Sequence, residues 1–348
     1  MSLRPRREPE RTGAGPSPPL PRRLRRRIRA LARVRGTLLL TGEVGTGKST
    51  LARLIHREGP RAEEPFVRVD CAGLVSTIAQ SELYGHQEGA FTGAGTARRG
   101  LIREAGSGTV LLDEISVLNG ADQARLLTLL EERTVRPVGG TREVPVEARV
   151  ICATNEDLET LVEEGTFRRD LYDRVAVLEV EVPPLRQRLD ELPEIVEYLL
   201  RDIVSSELWD RPQPLPELSP EAFRALRSYP WPGNLRELRN SLVKAVFRAV
   251  VSDGRLRIEV DDLPEAIVHP AETEARAESS AAASAARYRS PKDPALERAG
   301  IVRALRATQV KIRAAELLGM SRSTLYDRIR RHGIDPSEWK AEEGEGST

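Results

Sequence analysis

From Gly36 onward, short apolar strand-like runs alternate with stretches whose apolar residues recur at helical spacing. The runs are Thr37 to Leu40, Phe66 to Val69, Thr109 to Leu112, Arg149 to Ala153 and Val175 to Val182. That alternation predicts a parallel sheet covered by helices. Between about Leu189 and Val268 the strand runs fade and helical periodicity takes over, broken by the proline-rich stretch Arg211 to Pro220. A separate helical subdomain is the simplest reading. Residues Pro270 to Pro294 are alanine, serine and glutamate with almost no large apolar side chains, a composition that cannot repay its ordering entropy. The expected divisions are 1–35 (a basic segment rich in proline and arginine), 36–188 (α/β), 189–268 (helical), 269–294 (flexible linker), 295–340 (a small all-α domain) and 341–348 (a tail). The cluster Arg22 to Arg29 has the spacing of a short basic helix, but a solvated tail is the simpler reading.

Composition narrows this picture without deciding it. The 348 residues, 39% hydrophobic, suffice for two or three domains with sizeable cores. Lysine and arginine (54) nearly balance aspartate and glutamate (53), so affinity for nucleic acid must come from local patches. The two cysteines, Cys71 and Cys152, lie beside apolar residues and read as packing residues of a reducing compartment. No apolar run approaches a membrane span and no signal-peptide stretch follows the basic start, so a cytoplasmic protein with no membrane partner is expected.

The chemistry begins after the first strand. Gly42-Glu43-Val44-Gly45-Thr46-Gly47-Lys48-Ser49 fits the phosphate-loop pattern and opens into a helical run from Thr50 to Arg57. Glycines let backbone amides converge on phosphate oxygens, Lys48 offsets charge at the terminal phosphates, and Ser49 can ligate magnesium. Thr50 completes the expected nucleotide-binding set. A second acidic motif, Val110-Leu111-Leu112-Asp113-Glu114, ends an apolar strand with adjacent carboxylates. One, Asp113, suits magnesium and the other, Glu114, suits polarising an attacking water. ATP and Mg2+ are the expected cofactors.

From about Gly36 through the C-terminal helices the chain resembles the AAA+ domain of sigma-54-dependent activators, the bacterial enhancer-binding proteins. The most specific piece is the hexapeptide Gly89-Ala90-Phe91-Thr92-Gly93-Ala94 within Ser81 to Ala94. In that family the sequence GAFTGA is the loop that contacts sigma-54, and the flanking glycines suit a mobile hairpin presenting one aromatic side chain. The resemblance extends to Val138-Gly139-Gly140 before sensor I, and to Ala153-Thr154-Asn155 as sensor I, with Asn155 sensing the terminal phosphate. Phe167 to Arg174 resembles the arginine-finger segment, which implies that Arg168 and Arg174 reach a neighbouring subunit's nucleotide in a hexameric ring. Asp170 or Asp173 offers either arginine a surface ion pair instead. Pro183 to Arg188 resembles the hinge, and Trp231 to Leu238 resembles sensor II, with Arg236 reaching back to the nucleotide.

Residues Ala295 to Ile334 resemble the Fis-type helix-turn-helix of the same family. Ile301, Leu305, Ala314, Ala315, Leu318 and Leu325 recur at helical spacing, and Leu318-Gly319-Met320-Ser321 provides a glycine turn and a serine cap. The second helix would begin the DNA-binding set at Ser321 and place Arg322, Ser323, Thr324, Tyr326, Asp327 and Arg328 near base edges and Arg330 and Arg331 on phosphates. Fis-type domains bind as dimers, so palindromic upstream sites are expected.

Three positions depart from the family's pattern. Asp70 stands where the family usually has asparagine, Ser49 where many members have glutamate, and Gln87 where glutamate precedes the loop. An ionised Asp70 cannot donate a hydrogen bond and would repel Glu114. No recognisable sensory domain precedes the ATPase segment. The resemblance therefore implies an α/β P-loop AAA+ domain with a helical lid and a helix-turn-helix domain. It implies an ATPase that binds enhancer-like DNA as a dimer, assembles into a hexameric ring, and drives the sigma-54 RNA polymerase holoenzyme from closed to open complexes. The alternatives are a DNA-binding regulator that binds nucleotide without activating sigma-54 promoters and a general AAA+ remodelling ATPase.

Overall fold

The computed structural model describes residues 19–73, 77–91, 94–206, 215–252, 257–269 and 294–308, with 318, 325, 328, 329 and 331–334. It divides into two compact units, Met1–Pro264 and Glu265–Thr348. The first is built on a five-stranded parallel sheet of β1 Leu38–Thr41, β2 Phe66–Asp70, β3 Thr109–Asp113, β4 Arg149–Thr154 and β5 Glu179–Glu181. Their spatial order is β2-β3-β4-β1-β5. Helices α1 Lys48–Arg57, α2 Thr77–Tyr84, α3 Gly120–Glu132 and α4 Arg169–Val175 connect the strands.

Both faces of the sheet are buried, which is why its strands read as uninterrupted apolar runs. Leu39, Val110, Leu112, Val150 and Cys152 join one apolar cluster, while Leu38, Leu40, Leu111, Ile151 and Ala153 join the other. Parallel strands deliver their carboxyl ends to one rim, and there β1 runs into Gly42, β3 into Glu114 and β4 into Asn155. The strands end at Thr41, Asp70, Asp113 and Thr154, one residue beyond the apolar runs, because the ladder needs backbone groups rather than apolar side chains.

The run Val175 to Val182 is corrected: Val175 closes α4, and only Glu179–Glu181 is strand. Val175 stands four residues after Leu171 and both face the core cluster away from Val180, so two elements abut inside one apolar run. The solvated-tail reading of the basic segment also fails from Pro19 onward. Short helices span Arg22–Arg25 and Ile28–Arg33, with Leu24, Ile28 and Leu31 buried as a stripe inside the basic run. Arg22 and Arg25 pair with Glu194 at 3.2 and 2.7 Å. The buried Arg149 donates to the carbonyls of Leu31 and Ala32 at 2.7 and 3.1 Å, satisfying the end of the second helix. Burial without a carboxylate partner lowers its pKa to about 10.

The helical part of this unit contains α5 Leu192–Val204, α6 Pro220–Ser228 and α7 Asn234–Val246. Ser219 caps α6 by accepting from Ala222 N at 3.1 Å, with Pro220 at the first helical position. Trp231 is fully buried and donates Nε1 to Leu226 O at 2.8 Å.

In the second unit, α8 Pro294–Thr308 contributes Ile301, Ala304 and Leu305 to an apolar cluster with Leu325 and Ile334. Glu297 on α8 pairs with Arg328 and lies 3.1 Å from His332 Nε2. Arg331 is exposed. The expected DNA-contacting Ser321, Arg322, Ser323, Thr324, Tyr326, Asp327 and Arg330 lie outside the described residues, as do Ala314, Ala315, Thr92 and Gly93.

Candidate functional site

The turn after β1 is shaped by three glycines of positive φ: Gly42 (140°), Gly45 (80°) and Gly47 (99°). A Cβ on Gly42 would stand 2.5 Å from Val182 O, and one on Gly45 2.3 Å from Gly233 O, so the loop is wedged between backbones. Gly47 is the N-cap of α1, which starts two residues earlier than the expected Thr50 and places Lys48 at the helix N-terminus. Lys48 is only 6% exposed, and its Nζ donates to Gly42 O at 2.7 Å and Glu43 O at 3.3 Å. Burial lowers its pKa while Glu114 and Asp113 oppose that fall. Backbone amides at a helix N-terminus beside a buried ammonium make an anion cradle. Val44 and Thr50 are exposed at its rim.

Opposite Lys48 stands the end of β3. The Ser49 hydroxyl donates to Asp113 Oδ2 at 2.9 Å. This hydroxyl and a buried carboxylate form a hard oxygen pair at the edge of the cradle, a donor set that fits magnesium with water completing its shell. Arg68 on β2 donates Nε and Nη2 to the same Oδ2, at 3.0 and 2.7 Å, an interaction that sequence inspection missed. Glu114 adopts a left-handed backbone (φ 59°), and its Oε2 accepts from Asn155 N at 3.3 Å. Burial raises the Glu114 pKa, Lys48 opposes it, and Asp113 and then Asp70 add to the rise. The repulsion expected from Asp70 is thus present but minor. Asp70 itself accepts from Ala72 N at 3.1 Å.

The helical part closes over the loop. Glu43 takes a two-pronged ion pair from Arg186 at 2.8 and 2.5 Å and a bond from Asn234 Nδ2 at 3.1 Å. These bonds, Arg186 first and Asn234 second, hold the Glu43 carboxyl at a pKa of about 2. Leu235 N donates to Gly45 O at 3.0 Å, which brings the start of α7 against the cradle, and the Arg236 charge is felt by Lys48. Arg186 and Asn234 sit inside the two motifs read as hinge and sensor II, but nothing in their spacing announced Glu43 as their common partner.

The hexapeptide begins at an anchored base. His86 and Arg98 exchange backbone bonds at 3.1 and 3.0 Å, and Gln87 N donates to Val138 O at 3.0 Å. The buried His86 lies 2.6 Å through Nδ1 from Ser81 Oγ and packs edge-on to Phe91 with ring centroids 5.2 Å apart. Gly89 N donates to Ala94 O at 2.9 Å, pinching the turn shut. Gly139 approaches so closely that a Cβ there would stand 2.7 Å from Ala90 Cβ.

Arg168 and Arg174 bond outside this cleft. Arg168 pairs with the exposed Asp170 at 2.6 Å, and Arg174 donates to Leu130 O at 3.1 Å. Arg168 N is fixed at 2.8 Å to Gln123 Oε1, whose amide in turn donates to Leu118 O and Thr166 O. Among the described residues no helix is long and apolar enough to cross a membrane.

Residues 17–181 match the sigma-54 interaction domain, 186–280 an AAA+ ATPase lid domain, and 294–332 the Fis family of bacterial regulatory proteins. The chain is 39% identical over 322 residues to the response regulator protein PilR of Pseudomonas aeruginosa, covering 92% of this chain and 69% of that one. It is 38% identical over 309 residues to the regulatory protein AtoC of Escherichia coli, covering 88% and 65%. A Nif-specific regulatory protein of Azotobacter vinelandii is 43% identical over 245 residues, covering 70% and 46%. The crystal structure of NtrX from Brucella abortus in complex with ATP superimposes with a TM-score of 0.62 at 30% identity, over 90% of this chain and 67% of that one. The chain therefore spans about half to two thirds of the length of these relatives. On this likeness, carried through cradle, lid and C-terminal domain in one order, the protein belongs to the sigma-54-dependent transcriptional activators, P-loop AAA+ NTPases with a Fis-type DNA-binding domain.

Proposed function

We propose that this protein hydrolyses ATP in the cleft between β1, β3 and β4 and uses the hydrolysis to drive the Phe91 loop against sigma-54 RNA polymerase, converting closed promoter complexes to open ones. The observation that carries the reading is the convergence of Lys48, Ser49, Asp113, Glu114 and Asn155 on one rim, beneath a lid that brings Arg236 over the phosphate loop.

In this reading Lys48 exchanges the carbonyls of Gly42 and Glu43 for phosphate oxygens. Ser49 and Asp113 would hold Mg2+, which when bound supplies charge neutralisation to the phosphates. Glu114, aimed by its left-handed backbone and the Asn155 amide, orients the attacking water and takes its proton. The exposed Arg168 side chain is held on α4 by a solvent-screened pair, so it can leave Asp170 for the phosphates of an adjacent subunit. Arg174 would serve beside it. Hydrolysis then depends on assembly into a ring, and the C-terminal domains bring dimers to palindromic upstream DNA. Ser321 to Thr324, Tyr326, Asp327, Arg328 and Arg331 would form that DNA contact.

The test is open-complex formation by sigma-54 polymerase on an activator-dependent promoter, comparing wild type with Thr92→Ala. Opening by wild type, with a variant that hydrolyses ATP but does not open the promoter, is the expected result. If wild type hydrolyses ATP without opening it, the protein is instead a nucleotide-binding regulator. Asp70, with its like charge near Glu114, favours that second reading.

A further inference from the structure

Residues two apart on a strand share a face, so Arg68 and Asp70 project from the same side of β2. The Cα of Asp70 is in register with that of Asp113 on the neighbouring strand. Asp113 Oδ2 accepts three donors: Ser49 Oγ at 2.9 Å, Arg68 Nε at 3.0 Å and Arg68 Nη2 at 2.7 Å. The Asp113 side chain is 6% exposed and that of Arg68 42%, so the carboxylate is fixed and the guanidinium has room to swing. Because Ser49 bonds Oδ2, this is the oxygen nearest a cation held jointly by Ser49 and Asp113. A guanidinium on the same oxygen competes with that cation, since like charges about 4 Å apart repel at a half-buried site.

We infer that Arg68 is a positioning counter-cation: it neutralises and orients Asp113 until magnesium arrives with nucleotide, then transfers to Asp70. The inference rests on the ATPase reading above. It gives Asp70 a task that an amide could not perform, receiving a displaced guanidinium as a charged, two-pronged acceptor. Metal loading thereby shifts a charge from the end of β3 to the end of β2, one strand away along the same rim.

The experiment titrates Mg2+ against the 348-residue chain holding a fluorescent ADP analogue, and reads the magnesium concentration at half-maximal gain in nucleotide affinity. Wild type is compared with Arg68→Gln, Arg68→Lys and Asp70→Asn. Removing the competing charge should lower that concentration roughly tenfold in Arg68→Gln. Arg68→Lys, which keeps the charge but loses the fork, should fall between, and Asp70→Asn should raise it by stranding the guanidinium on Asp113. An unchanged or higher concentration in Arg68→Gln overturns the counter-cation role; an unchanged one in Asp70→Asn overturns the transfer. If Arg68→Gln does not fold, Arg68→Lys decides the first point. Failure of wild type to bind the ADP analogue defeats the ATPase reading itself, a result distinct from either.

Discussion

Asn234, at the first position of α7, reaches across to the phosphate loop and bonds both Glu43 Oε2 (3.1 Å) and Val44 O (3.0 Å), while its own Oδ1 accepts from Leu185 N at 2.8 Å. One fully buried amide therefore joins the loop, the hinge and the lid. Its backbone φ of 52° is a conformation asparagine tolerates better than most residues.

Replacing Asn234 by alanine takes their partner from Leu185 N and Val44 O and leaves Glu43 Oε2 to Arg186 alone. We expect a loss of about 2 kcal/mol in stability, since an unpaired buried polar group costs about 1–3 kcal/mol. Chemical denaturation checks this, and nucleotide affinity should fall in parallel because the lid no longer registers on the loop.

The Glu43 latch should be acid-sensitive. Its folded pKa of about 2 lies below the ordinary carboxylate value of 4.5, so its contribution is complete above pH 4.5 and is lost as pH falls from there toward 2. The difference in thermal midpoint between wild type and Glu43→Gln should be largest near neutrality and shrink below pH 4. A difference that grew on acidification would contradict the arrangement.

The proposed supply of an arginine between subunits predicts complementation. Arg168→Ala keeps an intact cradle and should lose hydrolysis by about 10³-fold, within the range of arginine-finger losses, while Lys48→Ala keeps an intact arginine and should lose hydrolysis with the phosphate contact. Mixing the two should restore turnover at the interfaces where the intact groups meet. Absence of any recovery would place Arg168 outside the reaction.

His86 should matter to the loop rather than to the chemistry. His86→Ala removes the Ser81 bond and the edge-on support of Phe91. Promoter opening should drop sharply while ATP turnover changes by no more than about twofold, as expected of a residue remote from the reacting atoms.

The thiols should be silent. Cys71 and Cys152 are buried, and burial pushes the Cys152 pKa up to about 12 and that of Cys71 well above its usual value. A thiol reagent at pH 7.5 should label neither in the native protein and both after denaturation.

Much of this architecture is readable from the residues because parallel strands buried on both faces advertise themselves as apolar runs, and because glycine, lysine and serine at fixed spacing have few other uses. The elements that escaped reading have physical reasons. Val175 and Val180 belong to one apolar run but different elements, and periodicity cannot locate the break. Leu24, Ile28 and Leu31 form their stripe among arginines dense enough to suggest a solvated tail. Arg68 lies in an otherwise ordinary strand, and only the register of β2 on β3 brings it to Asp113. The short hairpin of Thr134–Val135 with Val144–Pro145 is too brief to leave a pattern at all.

The close approach of Gly139 to Ala90 makes these two positions a single unit of substitution. Gly139 has a φ of 73°, and a Cβ there would press on the Ala90 methyl, so a side chain at this position is opposed by both its backbone and its neighbour. The residue at 139 is therefore held to glycine in part by a distant loop of chain. A library randomised at Gly139 should return almost nothing but glycine, however permissive the partner surface proves to be.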